Sequence, residues 1–278
     1  MDQKQADEIR QNVRESYSQV AESSNSGESC GTESSCCGVS DDAAINTLVS
    51  TRLGYSQDDL DNVPSGADMG LGCGNPRAIA SIQSGETVLD LGSGGGFDCF
   101  LAAAETGASG SVIGIDMTPT MISKARDNAV KGKYNQVEFR LGEIEYMPVA
   151  NDMVDVIISN CVINLSPNKQ QVFSEAFRVL KPGGRLAISD VVASTELPDE
   201  MKADLALYSG CMAGASLISD LQNILEKSGF EKIDISPKDD SKDFIKDWAP
   251  GRGVEDYVLS ASIEAVKPGG VCCDDSCC

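Results

Sequence analysis

Apolar residues follow two different periodicities along this chain, a helical one at its start and a strand-like one after residue 86. Five apolar positions near the N-terminus stand three or four residues apart: Ala6, Ile9, Val13, Tyr17 and Val20. This spacing predicts an amphipathic helix over residues 3–20. Residues 21–40 are rich in Ser, Gly and Cys, which predicts a loop, and a short helix is expected near Asp41–Thr51.

After residue 86, runs rich in Val, Ile and Leu alternate with longer amphipathic stretches. The runs predict five strands, at Thr87–Leu91, Ser111–Asp116, Val137–Leu141, Val154–Ser159 and Arg185–Asp190. The amphipathic stretches predict four helices, near Phe97–Thr106, Pro119–Lys131, Lys169–Leu180 and Leu217–Lys227. Apolar strands separated by helices are typical of a doubly wound parallel sheet. Two further strands, near Lys232–Ser236 and Asp256–Glu264, are expected to add an antiparallel edge.

The chain is strongly acidic, because 22 basic and 43 acidic residues leave a net charge of −21 over 278 residues. Such a surface repels polyphosphate, so a nucleic-acid partner is not expected, and it gives little reason to expect binding to an anionic membrane. The N-terminal residues lack the apolar core of a signal peptide. No apolar run approaches the ~20 residues needed to span a bilayer. A cytoplasmic protein with reduced cysteines is therefore expected.

A glycine-rich turn follows the first predicted strand, in the sequence V-L-D-L-G-S-G-G-G-F-D. Gly92, Gly94 and Gly96 allow a tight turn in which a ligand approaches backbone N–H groups. Asp116 ends the second strand, where a carboxylate can accept hydrogen bonds from both ribose hydroxyls. Asp90, in front of the loop, would oppose a pyrophosphate but suits a cationic amino-acid ligand. The alternative is a Gly-rich turn in a nucleotide-binding fold of another kind.

This turn resembles motif I of the class I S-adenosylmethionine-dependent methyltransferases, and G-I-D-M-T, G-E-I-E-Y-M-P and F-R-V-L-K-P-G-G extend the resemblance over roughly residues 75–235. The resemblance implies a Rossmann-like α/β fold with a mostly parallel seven-stranded sheet, and S-adenosylmethionine as the cofactor. Glu143 and Ile144 would then lie at the adenine, and Asn160 near the methionine part. The full set of cofactor-binding residues that it implies is Asp90, Gly92, Ser93, Gly94, Gly96, Asp116, Met117, Glu143, Ile144 and Asn160.

The chain has eleven cysteines and no histidine, so any soft chemistry must use thiolates. Cys161 ends the fourth predicted strand, at the carboxyl edge where open α/β sheets bind ligands. Cys211 follows a helical stretch that could fold back over that edge. The alternative interpretation is that both are small buried apolar side chains, as free cysteines often are. Cys99, in the helix after the glycine loop, is interpreted as structural.

Around these thiols the resemblance narrows to the arsenite methyltransferases, in the stretches N-C-V-I-N-L, G-C-M-A-G-A and G-C-G-N-P. It implies that Cys161 and Cys211 bind arsenic and that Cys73 is the third ligand. Trivalent arsenic is thiophilic, so cysteine thiolates are the ligands it should select. Three sulfurs leave the arsenic lone pair free to attack a sulfonium methyl, and no base has to remove a proton. The expected substrates are arsenite or its thiol conjugates.

Methylation raises the formal oxidation state of arsenic, so two electrons must return before another cycle. By the family resemblance, Cys73 and an N-terminal cysteine supply them by forming a disulfide. The partner is Cys36 or Cys37, with Cys30 a less favoured candidate. An external thiol reductant, thioredoxin or glutathione, would then reset the pair by exchange. The alternative is that the cysteines of residues 30–37 only capture metalloid.

Four parts are expected in a monomeric chain: a helical and cysteine-loop segment (1–74), the cofactor-binding core (75–195), an arsenic-binding C-terminal part (196–270) and a cysteine tail (271–278). The tail pattern C-C-x-x-x-C-C offers four thiols to zinc or arsenic, or is a solvated extension that methylation does not need. Two other functions stay open from the sequence. One is methyl transfer from S-adenosylmethionine to an organic small molecule, and the other is non-catalytic binding of a metalloid or zinc.

Overall fold

The computed structural model describes residues 3–23 and 42–269. Most of the expected loop over residues 21–40 lies outside the described residues. Seven of the cysteines discussed above also lie outside them: Cys30, Cys36, Cys37, Cys272, Cys273, Cys277 and Cys278. The four described cysteines are all buried: Cys73, Cys99, Cys161 and Cys211.

The described residues form eight strands: β1 (Thr87–Leu91), β2 (Ser111–Asp116), β3 (Val137–Leu141), β4 (Val154–Asn160), β5 (Leu180–Ala193), β6 (Ser216–Leu217), β7 (Glu231–Lys238) and β8 (Val258–Val266). They also form eleven α-helices: α1 (Gln3–Ser23), α2 (Asp42–Arg52), α3 (Gln57–Asp61), α4 (Arg77–Ala80), α5 (Phe97–Thr106), α6 (Pro119–Gly132), α7 (Lys169–Val179), α8 (Asp199–Lys202), α9 (Leu205–Ser209), α10 (Ile218–Lys227) and α11 (Lys242–Ile245). Three short 3-10 helices lie at Ile163–Leu165, Asp239–Ser241 and Val254–Asp256.

The strands form one mixed sheet in the order β3-β2-β1-β4-β5-β8-β7. The pairings among β1 to β5 are all parallel, whereas β8 is antiparallel to both β5 and β7. The two-residue β6 lies off this path and pairs with the end of β5. The expected seven-stranded, mostly parallel sheet is thus confirmed, together with its antiparallel edge, and β6 is a small addition to it.

The largest difference from the sequence-based expectation concerns β5. Its 14 residues extend beyond the expected strand at both ends, because Val154 of β4 pairs with Leu180 at one end and β8 pairs with β5 as far as Ala193 at the other. Four helices were not expected, and each has only four or five residues, which is too short to show a helical period: α3, α4, α8 and α11. The helical stretch expected before Cys211 is α9.

Helices cover both faces of the sheet and its carboxyl end. Leu89 and Leu91 of β1 share an apolar cluster with α7 and α10, whereas Val88 shares one with α5 and α6. At the carboxyl end, α1 packs against α6 and α9 and buries Ile9 and Val13. The expected N-terminal helix therefore forms a cover over the edge where the ligand-binding residues were expected. Among the described helices, none is long and apolar enough to cross a membrane.

Candidate active site

A cavity lies at the carboxyl ends of β1, β2 and β4. In the sheet, β1 lies between β2 on one side and β4 on the other, so the order of the strands changes direction here. Such a switch point is where open α/β sheets bind ligands. Eight of the expected cofactor-binding residues line the cavity: Asp90, Gly92, Ser93, Gly94, Asp116, Met117, Ile144 and Asn160. Helix α1 adds Arg10, Val13 and Tyr17 to the lining, so it closes this cavity.

Gly96 and Glu143, which the resemblance placed at the cofactor, lie outside the lining of this cavity. Gly96 precedes α5 with a φ of 93°, and a Cβ on it would lie 2.7 Å from the Phe139 ring. Gly96 is therefore required so that the Phe139 ring can pack closely against the backbone. Glu143 forms ion pairs with Arg10 and Arg14, so it fastens α1 over the cavity.

The glycine loop passes too close to its neighbours to carry side chains. Gly92 has a φ of 72°, and a Cβ on it would come within 2.2 Å of Val162, just beyond β4. Asp116 holds the other side of the loop, where its carboxylate accepts from the Gly94 N–H at 3.0 Å and the Thr118 N–H at 2.8 Å. Burial raises the pKa of Asp116, and these two hydrogen bonds oppose the rise. These hydrogen bonds fix the Asp116 carboxylate in the cavity wall.

A second pair of carboxylates lies buried in the same wall. Asp90 and Asp98 both line the cavity, and burial raises the pKa of each. The charge of Asp98 raises the pKa of Asp90 further, and the pKa of Asp98 itself is about 6. Cys99, interpreted as structural, donates its thiol hydrogen to Asp90 at 3.2 Å and so supports this wall. Asp98 was not recognised from the sequence, although an acidic residue directly after a glycine loop was a usable signal. Two such carboxylates suit the ammonium group of an amino-acid ligand.

Cys161 is the centre of a cluster of three buried thiols. Its sulfur lies within 4.8 Å of the Cys73 sulfur, and the nearby thiols of Cys73 and Cys211 both add to the rise that burial causes in its pKa. The Cys211 thiol also donates to the carbonyl oxygen of Cys161. The cluster joins the end of β4, the loop before α4 and the turn after α9. The structure therefore brings together the three cysteines that the resemblance named as arsenic ligands.

Cys161 and Cys211 both have a left-handed backbone conformation, with φ of 57° and 64°. For a residue with a side chain this costs on the order of 1–2 kcal/mol, so surrounding contacts must hold it in place. The Cys161 N–H donates to the Ser189 carbonyl at 2.8 Å, and the Cys211 N–H donates to the Tyr208 carbonyl at 2.9 Å. Such strain concentrates at functional sites.

A buried carboxylate completes the thiol cluster. The sulfurs of Cys73 and Cys161 and a carboxylate oxygen of Asp190 all lie within 4.8 Å of one another. Asp190 accepts hydrogen bonds from the N–H groups of Ile163 and Val191, and burial raises its pKa to about 6. Asp190 was not recognised from the sequence, although a carboxylate within a buried strand is unusual. Asp190 fixes the turn that follows Cys161.

Cys161 and Tyr17 lie where the first cavity meets a second, more open one. Both residues line both cavities, and Cys211 lines the second. Burial raises the pKa of Tyr17 well above 10, and the nearby Cys211 adds to the rise. Burial likewise raises the pKa of Cys73 and Cys161, so the free site holds neutral thiols. Two binding spaces that meet at a thiol are suited to transfer of a group from one ligand to another.

The comparisons with known proteins agree that the chain is similar to methyltransferases. Residues 82–229 match the family described as Methyltransferase domain. An arsenite methyltransferase from Halobacterium salinarum is 52% identical over 270 residues, which cover 94% of this chain and 67% of that protein. An arsenite methyltransferase from Mus musculus is 35% identical over 234 residues, which cover 81% of this chain and 58% of that protein. The chain thus spans about two thirds of the halobacterial protein and less of the mouse protein.

The fold is also similar to solved structures. The arsenic(III) S-adenosylmethionine methyltransferase from Chlamydomonas reinhardtii shares 32% identity with a TM-score of 0.58, and the match covers 79% of this chain and 73% of that one. A phosphoethanolamine N-methyltransferase from Haemonchus contortus, solved in complex with S-adenosyl-L-methionine, has a TM-score of 0.55 at 18% identity. The second likeness is one of fold alone.

Proposed function

Because this chain belongs to the arsenite methyltransferases, a family of S-adenosylmethionine-dependent enzymes, we propose that it methylates trivalent arsenic bound by Cys73, Cys161 and Cys211. The observation that carries the proposal is the position of Cys161, which belongs to the thiol cluster and also lines the cofactor cavity. An organic acceptor would not require three converging thiols. A non-catalytic arsenic binder would not require the cofactor cavity.

The first cavity fits S-adenosylmethionine. Asp116 would accept from the ribose hydroxyls, and Asp90 and Asp98 would hold the ammonium group. Gly92 allows the loop to pass close to Val162, where a Cβ at position 92 would clash, and so keeps the loop in the conformation that lines the cavity. When bound, this cofactor supplies a methyl group on a positively charged sulfur. The residues of the chain would orient that methyl group, and α1 forms one wall of the cavity around it.

The affinity for S-adenosylhomocysteine, which carries the same ammonium group, is expected to fall as the pH drops below about 6. The pKa of Asp98 is about 6 in the free protein, and only the ionised carboxylate attracts a cation. At pH 5 a proton must be displaced first, so binding should weaken by about tenfold relative to pH 7. Titration calorimetry between pH 5 and pH 7 measures the change.

The control is Asp98→Asn, in which binding should be weak and its pH dependence in this range much reduced. The pKa of Asp98 in the folded protein lies above its ordinary value of 3.8, so the free protein should lose stability as the pH rises from about 4 to 6. Bound ligand should restore it, which makes the ligand-induced rise in melting temperature larger at pH 7 than at pH 5. An affinity that stays constant from pH 5 to pH 7 would count against the proposed role of Asp98.

Loading of arsenite is charge-neutral in this site. As(OH)₃ and three thiols give three As–S bonds and three water molecules, and each thiol proton leaves with a hydroxyl group. Burial that raises the pKa of Cys73 and Cys161 therefore does not oppose the exchange. A neutral substrate is also compatible with the net charge of −21.

Cys161 would present the bound arsenic to the cofactor cavity, since it lines that cavity as well as the second one. Tyr17 lines both cavities at this junction. The arsenic lone pair needs no general base, which agrees with the absence of histidine. Correct placement of two reactants can by itself remove roughly 7–11 kcal/mol of a barrier. The main contribution of the chain is therefore geometric.

We further propose that Cys73 takes part in returning electrons to arsenic after transfer, by forming a disulfide with Cys36 or Cys37. Its sulfur already lies in the arsenic cluster, so it can act as ligand and then as reductant. An external thiol, thioredoxin or glutathione, would reduce the pair again. Cys36 and Cys37 lie outside the described residues, so this pairing is supported by the family resemblance.

The decisive experiment is incubation of the protein with arsenite, a small thiol and methyl-labelled S-adenosylmethionine. The proposal expects label in methylated arsenicals, with no product when arsenite is omitted. Trp248, the single tryptophan of the chain, lines the second cavity with Cys211, so its fluorescence reports arsenite binding separately. Arsenite binding without methylation would show that the protein is a non-catalytic arsenic binder. Label found only in an organic acceptor would show that it methylates an organic small molecule instead.

A further inference from the structure

Tyr55 lies behind the wall of the first cavity, against residues that line it, and lines neither cavity itself. It is 3% exposed, and its ring packs edge-on against Phe97 with the centroids 4.8 Å apart. Its hydroxyl donates to Oδ1 of Asp98 at 2.7 Å and accepts from Nδ2 of Asn160 at 3.1 Å. Tyr55 therefore connects a carboxylate in the cofactor cavity wall with the amide that ends β4.

The other side of the Asn160 amide holds the loop that carries Cys73. Its Oδ1 accepts from the Cys73 N–H at 3.0 Å, and its Nδ2 donates to the Gly74 carbonyl at 2.8 Å. The neighbouring Gly72 has a φ of 130°, and a Cβ on it would lie 2.7 Å from the Asn160 amide atoms. Because the loop is pressed against this amide, a rotation of Asn160 would move Cys73.

The direction of these hydrogen bonds follows from the charge of Asp98. An ionised carboxylate can only accept, so the Tyr55 hydroxyl must donate to it and is left to accept from Asn160. The Asn160 amide then directs Nδ2 to Tyr55 and Oδ1 to the Cys73 N–H. A cation beside Asp98 keeps the carboxylate ionised and so favours this arrangement of the amide.

We propose that Tyr55 is a positioning residue that couples occupation of the cofactor cavity to the placement of Cys73. This inference rests on the proposed function, because it takes the first cavity as the cofactor site and Cys73 as an arsenic ligand. Tyr55 touches neither reactant and acts through Asn160. Coupling between two sites is reciprocal, so cofactor and arsenite should each strengthen binding of the other.

Alkylation of Cys73 by iodoacetamide tests the coupling without arsenic. Saturating S-adenosylhomocysteine is expected to slow modification of Cys73 about tenfold in the wild-type protein, a coupling of common size. The rate is read by mass spectrometry of the peptide that contains Cys73. It is compared with the change in the free energy of unfolding that the ligand causes in the same variant, which corrects for general stabilisation. In Tyr55→Phe, which keeps the ring and removes only the hydroxyl, the protection should shrink to less than about twofold.

Tyr134→Phe is the matched control, because it removes a hydroxyl that donates to the Asn62 carbonyl at 2.9 Å, outside both cavities. It should keep the full protection. Each variant is measured at a ligand concentration that saturates it, so weaker cofactor binding is not mistaken for lost coupling. Equal protection in Tyr55→Phe and wild-type protein overturns the coupling. Failure of Trp248 fluorescence to respond to arsenite would overturn the arsenic site instead, and the two failures are distinct.

Discussion

Replacing Cys161 by serine is expected to lower the rate of arsenite methylation more than about 100-fold. Replacing a residue that only hydrogen-bonds to a metal ligand already lowers metal affinity or activity by about 10–100-fold, and Cys161 is proposed as a ligand itself. A hydroxyl is a hard donor and a poor ligand for thiophilic arsenic. Serine is similar in size, so the turn after β4 and the cofactor cavity should persist. Cofactor affinity should therefore stay nearly unchanged. Cys211→Ser should behave in the same way, since its hydroxyl can still donate to the Cys161 carbonyl.

The matched control is Cys99→Ser, which changes another fully buried thiol. A serine hydroxyl can still donate to Asp90, so this variant should keep most of the activity. Initial rates of methylarsenical formation and calorimetric titration with S-adenosylhomocysteine separate chemistry from cofactor binding. Near-normal turnover by Cys161→Ser would contradict the proposed binding of arsenic by cysteine thiolates. Equal loss in Cys99→Ser would show that the effect is general destabilisation.

Residues whose roles follow from local pattern were predictable from the sequence. Asp116 and Cys161 each follow an apolar run at or near the end of a strand, and parallel strands that point the same way bring such ends to one edge. The antiparallel edge was also predictable, because β7 alternates Ile with polar residues and β8 is largely apolar, and both follow the last core helix. The proposed arsenic ligands could be named only through the family resemblance, because a buried cysteine has no sequence pattern that distinguishes it from a packing residue.

Residues whose roles depend on distant partners were not predictable in this way. Arg10 and Arg14 lie on an amphipathic helix and look like solvated charges, yet both pair with Glu143, which is 129 residues beyond Arg14. Tyr55 lies in a turn-rich stretch and reaches Asp98 only in the folded chain. Such contacts depend on how helices and strands pack together, so the spacing of residues along the chain does not predict them.

Gly214→Ala is expected to reduce methylation about 100-fold, because a displacement of 1 Å at a reacting group can cost that much. A Cβ at position 214 would lie 2.0 Å from the Asn164 carbonyl oxygen, which is backbone and cannot rotate away. The segment from Cys211 to Gly214 must then move off the turn that follows Cys161. The thiols of Cys161 and Cys211 would separate, and arsenite should bind more weakly.

The same overpacking should lower the free energy of unfolding by about 1–3 kcal/mol, so folding has to be assessed beside activity. Gly269→Ala is the control, since a Cβ there meets no atom within 4 Å. Denaturant unfolding gives the stability, and Trp248 fluorescence gives the affinity for arsenite. Gly214→Ala should bind S-adenosylhomocysteine normally while losing arsenite affinity, because Gly214 does not line the cofactor cavity. If cofactor and arsenite binding fell together, close packing at Gly214 would serve the whole fold rather than the approach of Cys211 to Cys161.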